Sequence, residues 1–107
     1  MKYILLILFS LASLAVRADC DGHSCTYVKI TRMYVEAEGD TVIGTSGDES
    51  NLSCDAGSNG YITLDSGVKN YKEIYSLLLT AHTIEKLIWV RTTNSGTCKI
   101  SYVVSDL

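Results

Sequence analysis

The sequence predicts a small, mainly β domain with one α-helix. Residues 27–37 (YVKITRMYVEA) place alternate side chains on two opposite faces, which is typical of a strand. Residues 71–82 (YKEIYSLLLTAH) instead carry apolar residues at helical spacing. Four cysteines in a chain of 107 residues add a third observation, because small exported domains commonly use disulfides to support a modest core.

The chain opens with the features of a secretory signal peptide. Lys2 precedes an apolar run from Ile4 to Leu14, and small residues lead to a cleavage position after Ala18. A membrane anchor is disfavoured, because the run is shorter than the roughly 20 residues that a spanning helix needs. We therefore expect residues 1–18 to be removed and residues 19–107 to form one secreted or periplasmic domain, without membrane insertion.

The charge of the expected mature domain argues against a nucleic-acid partner. Removal of the leader takes away Lys2 and Arg17, so seven basic residues remain against twelve acidic ones, a formal charge of −5. A surface of that sign repels phosphate backbones.

All four cysteines lie in the expected mature domain, and their even number indicates two disulfides. Three pairings are possible. Cys20 and Cys25 are near neighbours in a polar segment, so we favour Cys20–Cys25 together with Cys54–Cys98.

Three strands are predicted before the helix. The strand at residues 27–37 is followed by a turn at residues 38–40 and a returning strand at residues 41–45 (TVIGT). Residues 46–59 (SGDESNLSCDAGSN) are rich in Gly, Ser, Asn and Asp and form a loop. Residues 60–65 (GYITLD) form the third strand.

The predicted helix begins with a capping box, in which Asn70 caps and Glu73 reaches back to the N–H group of Asn70. Its apolar residues cover an arc of about 200°, more than one sheet can bury. We expect Leu77 or Leu79 to contact a neighbouring subunit. The residues expected to enter the core are Ile74 and Leu78.

Two further strands follow, at residues 87–92 (LIWVRT) and 98–104 (CKISYVV), joined by a hairpin turn at residues 93–96. Three strands, a helix and two strands are the order of the OB-fold, a five-stranded antiparallel barrel. An open α+β sheet with the helix across one face fits the same order. The barrel is our preferred prediction.

The sequence contains no catalytic signature, and no cofactor is predicted. Residues 44–49 (GTSGDE) lack the G-x-S-x-G arrangement of a nucleophile elbow. His23 lies between two cysteines, but export favours disulfides over thiolate metal ligands. The spacing of Asp48, Glu49 and Asp55 matches no calcium-binding loop. We therefore expect a binding protein with no metal, not an enzyme.

Aromatic residues are the best candidates for binding. Seven tyrosines and one tryptophan provide flat apolar faces edged by polar groups, which suit sugar rings and protein partners alike. Trp89 shares a strand face with Leu87 and Arg91, whereas Ile88 and Val90 share the other. The Ile/Val face is the better core candidate, so we expect Trp89 to be partly exposed.

Residues 75–104 (YSLLLTAHTIEKLIWVRTTNSGTCKISYVV) resemble the C-terminal part of cholera-toxin-type B subunits, in which a helix leads through a Glu-Lys-Leu segment into a tryptophan-bearing strand. The whole chain is similar to the short exported bacterial proteins described as subtilase-cytotoxin B-subunit-like. The resemblance implies an OB-fold, a homopentameric ring with its helices at the centre, recognition of glycans on a cell-surface receptor, and a possible catalytic A subunit.

Two functions are expected from these observations. The first is a secreted glycan-binding module whose site lies around Trp89 and Arg91 and in the loop that carries Asp48 and Asn51. The alternative is a monomeric exported protein that binds or inhibits another protein through the apolar face of its helix.

Overall fold

The computed structural model describes residues 17–107, so the predicted leader lies outside the described residues except for its last two positions. Seven strands, one α-helix and one 3-10 helix are present in the described chain. The elements are β1 (Asp19–Asp21), β2 (Ser24–Val28), β3 (Ile30–Val35), β4 (Thr41–Thr45), the 3-10 helix (Glu49–Asn51), β5 (Ile62–Leu64), α1 (Tyr71–Ile84), β6 (Ile88–Thr92) and β7 (Ile100–Val104).

The strands form two antiparallel sheets, so the prediction of a mainly β fold with one helix is confirmed. One sheet has the order β1-β2-β6-β7 and the other has the order β3-β4-β5. The prediction of a closed five-stranded barrel is wrong, and the strand order also differs from the predicted one. The two sheets contact each other through an isolated parallel bridge between Thr63 and Lys99.

The predicted strand at residues 27–37 is broken, and this break divides the fold into two sheets. Tyr27 has a φ of 54°, a value that non-glycine residues adopt infrequently. The register between β2 and β6 shifts between Cys25 and Val28. The chain therefore leaves one sheet at Lys29 and enters the other as β3.

Both predicted disulfides are present. Cys20 and Cys25 lie opposite each other in the β1–β2 hairpin and are joined to each other. Cys54 is joined to Cys98, 44 positions later in the chain. Two disulfides indicate an oxidising environment, in agreement with export.

The helix packs on the core through Leu78 and Ala81, which are buried. Ile74 is partly buried against the same cluster, whereas Leu79 is 43% exposed. Leu77 is half-buried. No helix within residues 17–107 has the length and apolar character needed to cross a membrane.

The predicted capping box is wrong, because the side chain of Asn70 makes no capping hydrogen bond. A turn before the helix serves instead: the N–H of Tyr71 donates to the carbonyl of Val68 at 3.3 Å. The carbonyl of Asn70 then accepts from the N–H of Ile74 at 3.0 Å. Main-chain groups thus begin the helix without the asparagine side chain.

Candidate functional site

Trp89 and Arg91 lie on the outer face of the four-stranded sheet. Along β6 the side chains alternate, so Ile88 and Val90 are buried while Trp89 is 38% exposed and Arg91 is half-buried. The expected partial exposure of the tryptophan is therefore present in the structure.

Two tyrosines extend this outer surface. The ring of Tyr27 meets the ring of Trp89 edge-on, with 6.1 Å between their centroids. Tyr102 on β7 pairs with Arg91 on β6, and residues paired in this way share a face. Tyr27 and Tyr102 are 45% and 50% exposed. We call Tyr27, Trp89, Arg91 and Tyr102 the aromatic face.

A shallow cavity of about 470 Å³ adjoins the aromatic face. Its lining combines a guanidinium, an amide, hydroxyl groups and a tyrosine ring. The lining residues are Arg91, Thr92, Thr93, Asn94, Ser101 and Tyr102. Hydrogen-bonding groups therefore surround an exposed aromatic surface.

Asp48 and Asn51 do not join the aromatic face. The carboxylate of Asp48 caps the 3-10 helix by accepting hydrogen bonds from the hydroxyl and the N–H of Ser50 at 2.6 and 3.1 Å. These bonds hold the pKa of Asp48 below its usual value. Asn51 ends the same helix, which packs beside β1. In the described chain, no hydrogen bond connects either residue to Trp89 or Arg91.

The structure brings together a second group of residues that was not predicted as a site. Glu49 is only 8% exposed, and its Oε2 atom accepts hydrogen bonds from the N–H and the hydroxyl of Thr45, both at 2.6 Å. Glu49 lines an open cleft of about 500 Å³ on the side of the three-stranded sheet, which we call the polar cleft. Its other functional side chains are Thr31, Arg32, Ser58, Asn59 and Tyr61.

Arg32 and Tyr61 form one wall of the polar cleft. The Nη1 atom of Arg32 donates a hydrogen bond to the hydroxyl of Tyr61 at 2.8 Å. The ring of Tyr61 is supported edge-on by Tyr34, with 5.8 Å between the centroids. This wall places a guanidinium and a phenol in the same cleft as the buried carboxylate.

Part of the polar cleft lies in a segment that the sequence analysis associated with binding. Glu49, Ser58 and Asn59 belong to the loop at residues 46–59, which was expected to carry binding residues. Arg32 and Tyr61 were assigned to strands without any functional role. Their meeting depends on how β3, β4 and the chain before β5 lie side by side, and no local pattern predicts it.

One serine–histidine pair is present outside both surfaces. The Nδ1 atom of His23 lies 3.2 Å from the hydroxyl of Ser53, but that hydroxyl donates to the carbonyl of Gly22 at 2.7 Å. A serine whose proton is directed to a carbonyl is not activated by the imidazole. Among residues 17–107, no three His, Cys, Asp or Glu side chains come together as a metal site.

Comparisons of the chain with protein-family models, with curated proteins and with solved structures find no match.

Proposed function

We propose that this protein is an exported, non-enzymatic module that binds glycans. The aromatic face is the observation that carries this proposal. Trp89 and its neighbouring tyrosines offer exposed rings to the C–H surfaces of a sugar, and the adjoining cavity supplies hydroxyl, amide and guanidinium groups. Concave, partly apolar sites with a few polar groups are typical of small-ligand binding.

The resemblance of residues 75–104 to cholera-toxin-type B subunits supports the same class of function. It also supports an OB-fold-like relationship, in which the two sheets correspond to an interrupted barrel. The continuous chain at Lys29 and the bridge between Thr63 and Lys99 join the two sheets on this interpretation. A leader removed after Ala18 and an A subunit as partner belong to the same proposal.

A homopentameric ring would strengthen binding at such a shallow surface. Single exposed sugar sites are weak, and presenting several identical sites together raises the apparent affinity by roughly 100- to 10,000-fold. The ring is therefore part of the proposed function, with Leu77 or Leu79 at the subunit interface.

Trp89→Ala should abolish or strongly reduce glycan binding at the aromatic face, because it removes the central ring of that face. The measurement is a glycan array probed with purified mature protein, followed by titration of the glycans that bind. Val35→Ala is the control for truncating an exposed apolar side chain, since Val35 is 54% exposed but lies on the other sheet. An array signal that Trp89→Ala leaves unchanged, or that Val35→Ala reduces equally, would contradict the proposal.

The alternative function, docking of a protein partner by a monomer, also has an observation in its favour. Leu79 and Ile84 on the helix are 43% and 62% exposed. Exposed apolar side chains mark a contact surface where they form one continuous patch. The oligomeric state separates the two functions, because the first requires a ring and the second requires a monomer.

Leu79→Glu should disperse a ring into folded monomers, because a charge at an apolar interface is costly to bury. Light scattering after size exclusion gives the mass, and circular dichroism checks the fold. Thr80→Glu is the control: it adds the same charge at an exposed position about 100° around the helix. A monomeric wild-type protein would instead favour the protein-docking function.

A further inference from the structure

We propose that the polar cleft is a second binding site, separate from the aromatic face, that takes a neutral, hydroxyl-rich group such as a single pyranose ring. The proposal concerns Glu49, Arg32 and Tyr61. It does not depend on the function proposed for the aromatic face.

Only one of the two oxygen atoms of the buried Glu49 carboxylate accepts hydrogen bonds from the described residues. Its Oε2 atom accepts both hydrogen bonds from Thr45, while its Oε1 atom accepts none from residues 17–107. A neutral side-chain carbonyl could accept the same two bonds, so attachment to Thr45 requires neither the negative charge nor the second oxygen. Burying a charge is costly unless it is fully hydrogen-bonded. The Oε1 atom of Glu49 is therefore available to accept a hydrogen bond from a ligand.

Gly60 lies beside that oxygen and has no side chain to cover it. A Cβ atom at this position would lie 2.9 Å from the Oε1 atom of Glu49, closer than such contacts occur. The φ of Gly60 is +71°, which also favours glycine. Glycine here thus has two consequences: it permits the turn before β5, and it places no side chain against the Glu49 oxygen.

The charges of the cleft select a neutral ligand. Among its lining residues in the described chain, only Glu49 and Arg32 carry charge, and they carry opposite charges. Glu49 disfavours an anionic group and Arg32 disfavours a cationic one. A neutral group must then donate to the carboxylate and accept from the guanidinium. A hydroxyl does both, and a ring that carries several hydroxyls offers donors and acceptors to both groups.

The size of the cleft and the groups around it fit one sugar ring. Its volume of about 500 Å³ lies within the range of small-molecule sites. Ser58 and Asn59 add a hydroxyl and an amide at its rim, and the Tyr61 ring supplies an apolar surface. None of these residues belongs to the aromatic face, so a change in one site should leave the other intact.

The test uses nuclear magnetic resonance of the full mature protein carrying Trp89→Ala, so that the aromatic face does not contribute. The methyl pyranosides of glucose, galactose, mannose and fucose are titrated separately, up to concentrations well above the millimolar dissociation constants typical of single weak sites. At least one pyranoside should shift the main-chain amide signals of Thr45 and Gly60. Sulfate and methylammonium serve as anionic and cationic probes, and we expect neither to compete.

Glu49→Gln should weaken that pyranoside by roughly tenfold, because a charged acceptor is replaced by a neutral one. Arg32→Gln, at an exposed position, should weaken it similarly and decides the question if Glu49→Gln does not fold. Glu73→Gln on the helix surface is the control for loss of one carboxylate and should leave binding unchanged. The proposal is overturned if no pyranoside shifts these amides, if sulfate or methylammonium binds more tightly, or if Arg32→Gln has no effect.

Discussion

Cys98→Ala should lower the free energy of unfolding by about 2 to 5 kcal/mol. The bond between Cys54 and Cys98 closes a long loop, and Cys98 is fully buried. It also lies where the two sheets meet: the N–H of Cys98 donates to the carbonyl of Asp55 at 2.9 Å, and the carbonyl of Cys98 accepts from the N–H of Thr63, in β5, at 3.0 Å. Without the bond, the unfolded chain gains freedom and this contact between the sheets loses its covalent link.

Urea unfolding followed by circular dichroism measures the effect. The double variant Cys54→Ala/Cys98→Ala removes the same bond without leaving a free thiol and should behave alike. The variant Cys20→Ala/Cys25→Ala provides the comparison, because its loop spans only 5 positions. A loop that short should contribute about 2 kcal/mol less than the long one in the chain-entropy description. Equal losses for the two double variants would contradict this account of Cys54–Cys98.

Leu78→Ala should cost about 2 to 5 kcal/mol of stability, because it leaves a cavity beneath the helix. Leu78 is fully buried, on a helix that packs against β3 and β7. The measurement is again urea unfolding. Leu79→Ala makes the same chemical change at the next residue, which is 43% exposed, and it should cost far less. Similar losses for the two variants would show that Leu79 is also packed, as it would be inside a ring.

Local signals in the sequence were enough to predict the strand β4 and the helix α1. The strand at Thr41–Thr45 has the predicted bounds, and the helix continues to Ile84, two residues beyond its predicted end. The strand follows the turn at residues 38–40, and the helix has unbroken apolar periodicity. β1 was missed because it has three residues, two of them aspartate, and is held by pairing and a disulfide rather than by an apolar pattern.

The break between the sheets was beyond sequence reasoning for a physical reason. A tyrosine in the sequence does not predict a positive φ, which is usually adopted by glycine or asparagine. At Tyr27 this conformation accompanies the ring contact with Trp89, which belongs to a strand about 60 residues away. The positive φ of Tyr27 thus occurs together with a contact that is distant in sequence. The alternating pattern of residues 27–37 gives no sign of the break.

The aromatic face and the polar cleft also differ in how far the sequence predicts them. The alternation of β6 was enough to place Trp89 and Arg91 together on an exposed face. The polar cleft depends on a carboxylate that turns inward from a loop of polar residues. In such a loop, the sequence does not distinguish Glu49, which is buried, from Asp48, which is exposed. The difference arises from the two donors of Thr45, which are fixed only when β4 is in place.

The strands of the two sheets become available at different times during synthesis. β3, β4 and β5 are consecutive, so the three-stranded sheet has all its strands once Leu64 has been made. β2 must wait for β6, because Cys25 in β2 pairs with Val90 in β6, 65 residues later. A chain that emerges amino end first therefore carries the β1–β2 hairpin as a separate unit. If Cys20 and Cys25 are joined at that stage, neither thiol remains to capture Cys54 before Cys98 arrives.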